Sequence, residues 1–536
     1  MFFVLSFLWF IRTTKAILFW LYLWQLKEYH LGRFLDHFRA EKGKQLLINK
    51  LIILKLTLFL LLIGANFMPW LKFSVSFFLF SLLIIYFLES AKGFFDFFQK
   101  KLKMPIFTKK IIFLFLITLF FTIFYLSGLW RTPNFIFLIL AFDILTPAVV
   151  SGIVLIFQPL AVLGKNQIIR KAIKKREKFK DLLVIGITGS YGKTSTKEFL
   201  ATILSEKFKV LKTKEHQNSE VGISQCILND LNKEYEIFVV EMGAYNRGGI
   251  KLLCNIAKPK IGILTGINEQ HLALQGSLEN IIKTKYELIQ SLPRDGLAIF
   301  NGDNPYCFDL YQRTIYPKKT YSLQPSISGF PVDIWTDEIK IEKDNISFKV
   351  IMKNDQADFK INLLGAQNIL NILAATLVAK ELGMSLAEIS KACQKIKPEQ
   401  SGVFLKKGIN DLNIIDATYS ANPDGVIWHL EYLKIWPKKK VLVMPCLIEL
   451  GQASKKIHKR IGQKIAEVCD LAIITTKERF KEIKDGVLER GAKEENILFI
   501  ENPKKIFERI KSFCRSGDVI LLESRVPAEL IKELLL

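Results

Sequence analysis

Four stretches ahead of residue 160 are each long and apolar enough to cross a lipid bilayer: 51–68, 71–88, 111–129 and 135–160. A spanning helix needs about 20 mainly apolar residues. In hydrocarbon such a segment is held to a helix, because only there does a single segment satisfy its own backbone polar groups. A fifth stretch, 1–26, is broken by Arg12 and Lys15. It predicts a helix that either spans with those side chains snorkelling outward or lies in the interface. No basic segment precedes it and no small-residue cleavage site follows, so a cleaved leader is not expected.

Loop charges set the orientation. Lys27, Arg33, Arg39, Lys42, Lys44 and Lys50 precede 51–68, and Lys92, Lys100, Lys101, Lys103, Lys109 and Lys110 separate 71–88 from 111–129. The run KNQIIRKAIKKREKFKD follows the last apolar stretch, whereas Pro69-Trp70 and the turn at 127–134 carry only Arg131. The basic loops are therefore expected in the cytoplasm, with everything after residue 160. The formal net charge of +24 reads as attraction to an anionic membrane face, and no nucleic-acid partner is expected. Asp143 lies inside an apolar run near Pro147. A carboxylate there is either functional or a helix-packing hydrogen-bond partner.

A chain of 536 residues is too long for one core. The stretch after 180 has ordinary soluble composition. It holds all seven cysteines (Cys226, Cys254, Cys307, Cys393, Cys446, Cys469 and Cys514), with no CxxC or metal-ligand spacing. They read as reduced, mostly buried thiols. The six histidines form no HExxH-like cluster.

The apolar run DLLVIGIT at 181–188 leads into GSYGKTST and then into KEFLATIL, which has helical periodicity. Strand, glycine turn and helix form the context in which a glycine-rich loop cradles phosphates. Gly189 and Gly192 let the backbone approach the anion, with Ser190, Tyr191 and Ser195 completing the loop. Lys193 reaches the terminal phosphates, and Thr194 offers a hydroxyl to Mg²⁺. The Walker pattern would place a further glycine at Ile187; the chain has the shorter G-x-x-G-K-T. Two more strands, YEIFVVEMGA and KPKIGILTGINEQHLAL, end near Glu241 and near Asn268, Glu269 and His271. In open α/β sheets ligands gather at such carboxyl ends. Thr194, Glu241 and His271 are thus candidate neighbours around Mg²⁺ and ATP.

These segments, together with NSEVGIS at 218–224, INEQHLALQGSLENIIKTKYELI, NGDN at 301–304, LLGAQNILNILAA, IIDATYSANPDG and IELG at 448–451 with His458 following, resemble the Mur ligases. NSEVGIS and YSANP favour the dipeptide-adding branch. The resemblance runs from about 182 to 525. It implies that Lys193, His271 and Lys285 are catalytic and that Glu241 and His271 hold Mg²⁺ with Thr194. Lys285 would be the lysine that the family carbamylates to bridge a second Mg²⁺. Asn368 and Asp416 would lie at the nucleotide, with Asn371 packing the following helix and Tyr419 and Asn422 on a closing loop. The implied reaction transfers the γ-phosphoryl group of ATP to a carboxylate. An amine then attacks the acyl phosphate: D-alanyl-D-alanine or another amino acid, joined to a muropeptide-like acceptor. Domain closure would keep water out.

The expected architecture is an α-helical membrane region at 1–164, a basic linker at 165–180, a central ATP-binding α/β domain with a mostly parallel sheet at 181–400, and a smaller Rossmann-like α/β domain at 401–536. Alternating stretches near 332–363 predict hairpin strands in the central domain. The family's soluble UDP-gripping domain is not visible ahead of the loop. This points to a lipid-linked acceptor at the bacterial cytoplasmic membrane or to a cell-wall synthesis partner protein that supplies the grip. Gln367, Val403, Ala417 and Pro445 depart from the family pattern, and Val403 stands where an arginine would contact phosphate. Three other readings remain open: a membrane-bound poly-amino-acid (capsule-type) synthetase, a degenerate nucleotide-binding scaffold, and a membrane ATPase or transporter, although no LSGGQ signature is present.

Overall fold

A computed structural model describes residues 1–38, 41–67, 75–99, 101–129, 132, 134–215, 217–419 and 422–535. Arg39, Pro69, Trp70, Lys100 and Arg131, and Ser420 and Ala421 of the YSANP segment, lie outside the described residues. The chain divides into two compact units, Met1–Asn166 and Gln167–Leu536.

Among the described residues, the first unit contains five helices long and apolar enough to cross a membrane, judged by length and composition. They run Phe2–Leu26, Lys50–Phe67, Val75–Phe98, Lys109–Leu129 and, from Phe135, into a helix that ends at Arg176. Two extend past their apolar runs. Val75–Phe98 takes in Glu89, Lys92 and Asp96, and Phe135–Arg176 passes through Pro147 and Pro159 into the stretch read as a linker.

The first helix is continuous through Arg12 and Lys15, and both side chains have acidic partners. Arg12 pairs with Asp143, whose side chain is fully buried, and its Nε lies 3.4 Å from Glu89. Lys55, 2 % exposed, closes the quartet by pairing with Glu89 and, at 2.8 Å, with Asp143. Lys15 meets Asp96 at 3.3 Å. Two cations and two anions from four helices thus neutralise each other inside an apolar bundle that includes Trp9, Leu82 and Ile139. Breaking a buried pair leaves an uncompensated charge and costs about 3–5 kcal/mol, whereas removing one charge of each sign costs far less. Asp143→Asn is therefore expected to lower the thermal midpoint of the detergent-purified protein markedly, and Asp143→Asn with Lys55→Met to recover much of it. A midpoint that does not move in the single variant would show that the quartet does not hold these helices together.

In the second unit the helix tail from Gln167 to Arg176 is packed. Ile169, Ala172 and Arg176 recur on one face and are buried. Arg176 donates to the carbonyls of Ala257 (3.0 Å), Phe179 (2.6 Å) and Leu182 (3.0 Å). The spacing of these three residues is helical, and a strongly basic composition masked it in the sequence.

Among the described residues, eleven strands belong to the first half of this unit: β1 (Leu183–Thr188), β2 (Val210–Lys212), β3 (Ile237–Glu241), β4 (Ile261–Leu264), β5 (Leu297–Asn301), β6 (Lys318–Tyr321), β7 (Ser326–Ile327), β8 (Phe330–Pro331), β9 (Ile334–Ile341), β10 (Ile346–Met352) and β11 (Asp355–Ile361). β7 and β8 form a separate two-stranded sheet. The other nine form one sheet in the order β11-β10-β9-β6-β5-β4-β1-β3-β2. It is parallel from β2 to β9 and antiparallel across β9-β10-β11. The apolar runs of β1, β3 and β4 suit strands buried on both faces. One face packs on the helices Lys193–Leu204 and Gln367–Glu381 through Phe199, Leu200, Ile203, Ile372 and Leu373. The other packs on Glu220–Asn229, Gly249–Ala257 and Leu278–Gln290.

The second half carries β12 (Phe404–Lys407), β13 (Asn413–Ala417), β14 (Lys440–Met444), β15 (Leu471–Ile474), β16 (Ile497–Phe499) and β17 (Val519–Glu523), ordered β12-β13-β17-β14-β15-β16 and parallel except for β12. Helices again cover both faces. Val403 and Ala417, 5 % and 1 % exposed, pack into this core with Leu364, Ile415 and Met444. An arginine at 403 would have to leave that core. All seven cysteines are free, and six are buried.

Candidate functional site

β1 ends at Thr188 and the chain turns through Gly189–Gly192 into the helix Lys193–Leu204. Two glycines are required by close approach. A Cβ at Gly189 would fall 2.1 Å from Thr265 Oγ1, and one at Gly192, where φ is +76°, would fall 2.6 Å from Asn371 Oδ1. Among the described residues the helix has no side-chain cap at its N-terminus, which leaves first-turn N–H groups for an anionic ligand. Ser190 is spoken for: its N–H donates to the Gly266 carbonyl at 2.7 Å, and its Oγ accepts from Asn268 N at 3.1 Å. Tyr191 packs against Gly266, and its hydroxyl accepts from Asn304 Nδ2 at 3.2 Å. The ammonium of Lys193 donates to the carbonyls of Gly189 (2.8 Å) and Ser190 (3.3 Å), so it lies over the loop. Burial pulls its pKa below the ordinary lysine value, against the opposing charge of Glu241. Ser195 Oγ donates to the Ser401 carbonyl at 3.4 Å.

Glu241, at the carboxyl end of β3 and 4 % exposed, gathers the site. Its Oε2 accepts from Thr194 Oγ1 at 3.0 Å and its Oε1 from Asn218 Nδ2 at 3.0 Å. Lys197, fully buried, pairs with the same carboxylate at 3.5 Å and with Glu198 at 3.1 Å. The chain reversal after β4 presents His271 with φ +65°. Its Nδ1 meets Glu449 Oε2 at 2.6 Å, and Tyr245 packs edge-on at 4.9 Å between centroids. Burial holds the His271 pKa below the ordinary value. Glu449 opposes this, while Lys285 and Lys193 reinforce it. Lys285, on the helix Leu278–Gln290, is 4 % exposed. Burial, reinforced by the charge of Lys193, brings its pKa down to about 7.

Thr194, Glu241, Lys193, His271 and Lys285 therefore share one electrostatic neighbourhood. Among the described residues no group of three or more His, Cys, Asp or Glu side chains stands ready for a metal. The donor set still suits Mg²⁺, which takes one or two carboxylates and completes its shell with waters and substrate phosphates. Among the described residues Gln367 Oε1 is buried without a hydrogen-bond partner, an acceptor that a base amino group would satisfy. Asn368 Nδ2 bonds the Leu364 carbonyl at 2.9 Å, and Asn371 Oδ1 accepts from Thr196 at 3.1 Å, tying its helix to the loop. Asp416 stands apart from the cluster. It accepts from Lys406 (2.9 Å) and from the Thr418 hydroxyl (2.6 Å). Burial pushes its carboxyl up, but these bonds outweigh burial and leave it below the usual value. Tyr419 interacts with Glu215 and Thr194, and burial raises its hydroxyl to about 12.

The sequence reading did not single out Asn218, Lys197 or Glu449 for the site. Asn218 and Glu449 lay in motifs already noted, and Lys197 lies one helical turn after Lys193. None of the three could be identified by spacing alone, because the contact each makes is long-range.

Residues 187–379 match the Mur ligase middle domain and residues 404–525 the Mur ligase, glutamate ligase domain. The chain is 29 % identical over 344 residues to the UDP-N-acetylmuramoyl-tripeptide–D-alanyl-D-alanine ligase of Bacillus subtilis, covering 64 % of this chain and 72 % of that one. Against the enzyme of the same name from Synechocystis it is 32 % identical over 284 residues, covering 53 % and 59 %. The fold is similar to that of MurF ligase from Thermotoga maritima in complex with ADP, with 27 % identity and a TM-score of 0.60 over 69 % of this chain and 83 % of that one. It is also similar to MurF from Acinetobacter baumannii, with a TM-score of 0.61.

Proposed function

We propose that this chain, which belongs to the Mur ligase family through its middle and C-terminal domains, is an ATP-dependent carbon–nitrogen ligase of peptidoglycan synthesis. It adds D-alanyl-D-alanine, or a similar amine, to a muropeptide-like acceptor. The observation that carries this reading is the Thr194–Glu241 contact at the mouth of an uncapped glycine loop, in a chain related to enzymes named for that reaction.

Residues 189–195 form the phosphate loop. The first-turn N–H groups of the helix and the Lys193 ammonium bind the phosphates and neutralise the charge that spreads over the transferring oxygens. Thr194, Glu241, His271 and the carbamate of Lys285 would hold Mg²⁺, which would supply polarisation of the phosphoryl oxygens. Asn218 and Lys197 fix the Glu241 carboxylate from the protein side. Asn371 keeps the helix that bears Gln367 and Asn368 against the loop, at the nucleotide. Residues from the C-terminal half meet the site, Tyr419 at Thr194 and Glu449 at His271, and on this reading they exclude water from the activated carboxylate. The packed Val403 and Ala417 are core residues on this reading, so their departure from the family pattern does not mark a dead enzyme.

On this reading the enzyme is a multi-pass protein of the bacterial cytoplasmic membrane with its ligase domains on the cytoplasmic side, which the length and composition of the five apolar helices support. Confinement to the bilayer surface would raise the effective concentration of a lipid-linked acceptor, which would position it without a grip on UDP. A partner protein of cell-wall synthesis could add to that grip. Full-length protein in lipid nanodiscs is expected to ligate D-alanyl-D-alanine to a lipid-linked muropeptide at least about tenfold faster than to the soluble UDP-linked tripeptide, with mass spectrometry reporting the product. Equal rates would reduce the helices to an anchor. No amide product from any acceptor would remove the ligase reading.

A further inference from the structure

The contact between His271 and Glu449 joins residues 178 positions apart, one after β4 of the central sheet and the other after β14 of the C-terminal sheet. Both backbones are held in the left-handed region, His271 at φ +65° and Glu449 at φ +64°. Such a conformation in a residue other than glycine is costly and persists only where the surroundings impose it. Here a second bond imposes it: Ala273 N donates to the Glu449 carbonyl at 3.0 Å. Gly451 closes the approach, since a Cβ there would stand 3.2 Å from Ala273 N. The same segment is clasped on its other side, where Asn268 Nδ2 donates to Asp424 Oδ2 at 3.0 Å and to Asn422 Oδ1 at 3.3 Å. The C-terminal domain thus grips residues 268–273 at two points, and Glu449 is the one that reaches a candidate metal ligand.

An ionised carboxylate only accepts hydrogen bonds. Facing Glu449, Nδ1 must carry the proton, and the imidazole is fixed as the tautomer whose lone pair is on Nε2. Metal-bound histidines almost always hand their other N–H to such a partner, which orients the ring and raises its basicity. Here the partner comes from the C-terminal half of the chain, 178 positions away.

We propose that Glu449 is a positioning residue that completes His271 as a metal ligand only when the C-terminal domain is docked, so that metal affinity and domain closure are coupled. The inference rests on the ligase reading, because it takes His271 as a ligand. It gives the enzyme a way to hold its metal firmly only in the water-excluded arrangement. By reciprocity, metal and nucleotide draw the domains together by the same factor.

The test uses the full-length protein in detergent with a non-hydrolysable ATP analogue. Mn²⁺ replaces Mg²⁺, and its binding is read by electron paramagnetic resonance, without turnover. Glu449→Gln, which keeps the shape but lacks the charge, is expected to weaken Mn²⁺ binding about tenfold or more. A double-mutant cycle with His271→Gln separates this from a merely structural role. If Glu449 acts through the imidazole, the double variant binds Mn²⁺ no worse than His271→Gln alone. Additive losses would place Glu449's effect elsewhere and overturn the proposal. Tighter binding in Glu449→Gln would also overturn it, by making Glu449 a plug on the ligand. Unchanged binding in Glu449→Gln, with Mn²⁺ taken up by the wild type, sinks this inference alone. A wild type that takes up no Mn²⁺ with the analogue takes the proposed metal site down with it.

Discussion

Lys193→Met is expected to lower ATP turnover by about a thousandfold or more while leaving the protein folded. The side chain is not a pillar of the core. Its ammonium bonds two loop carbonyls, Gly189 and Ser190, and the methionine stem keeps most of its apolar contacts. The loop itself is held by contacts that do not involve Lys193: Ser190 N to the Gly266 carbonyl, Asn268 N to Ser190 Oγ, and Thr196 to Asn371. What the substitution removes is a preorganised, partly buried cation over the loop. Losing one such stabilising donor costs about a hundred- to a thousandfold, and a full charge facing several phosphate oxygens belongs at the upper end. Stopped-flow phosphate release measures the loss, and circular dichroism with a thermal melt checks the fold. Turnover within about tenfold of the wild type would take this loop out of the phosphate-binding role.

The parts of the molecule legible in the sequence are those whose signal is local. The strand, turn and helix around Gly189–Leu204 follow one another within two dozen residues, and their hydrophobic periods change at the glycines. The antiparallel strands β9 to β11 announce themselves by alternation. Thr194 and Glu241 could be paired in advance because strand ends in a parallel sheet face one crevice. The remainder depends on contacts between distant segments. Nothing near Arg12 in sequence names Asp143 as its partner, so a buried ion pair reads as two interruptions of apolar runs. Nothing near His271 names Glu449. The departures at Val403 and Ala417 look like losses of function when only the motif is read, and like ordinary packing once the C-terminal core is assembled. The basic stretch after residue 164 shows the same limit from the other side. Its charges dominate the reading, while Ile169, Ala172 and Arg176 hold it to the central domain. A truncation before Phe179 would strip that packing, so a soluble fragment should keep everything from Gln167 onward.

The second large effect is at Lys285. Carbamylation needs the free amine, whose lone pair attacks carbon dioxide to form the N–C bond while a proton leaves to solvent or a base. An ordinary lysine is almost wholly protonated near neutrality. Lys285, brought to about 7 by burial and by the neighbouring Lys193, is about half free there. The sign follows from the direction of the shift. Above about pH 7 the amine is free and the carbamate forms; below it the ammonium predominates, and activity that depends on the carbamate falls by about tenfold per pH unit at constant dissolved carbon dioxide. Lys285→Ala is expected to lose about a thousandfold in ligation and to regain part of it with formate or acetate, whose carboxylates can take the carbamate's place. Removing bicarbonate from the wild type should slow it, and ¹³C-bicarbonate should give a carbamate signal absent from the variant. Lys283→Ala is the control: that side chain is half exposed and pairs with Glu279 at 2.5 Å, so its loss should change the rate by no more than roughly twofold. Full activity in Lys285→Ala would end the carbamate assignment while leaving the proposed phosphate loop untouched, because the contacts of Lys193 with the loop carbonyls and of Thr194 with Glu241 do not involve it.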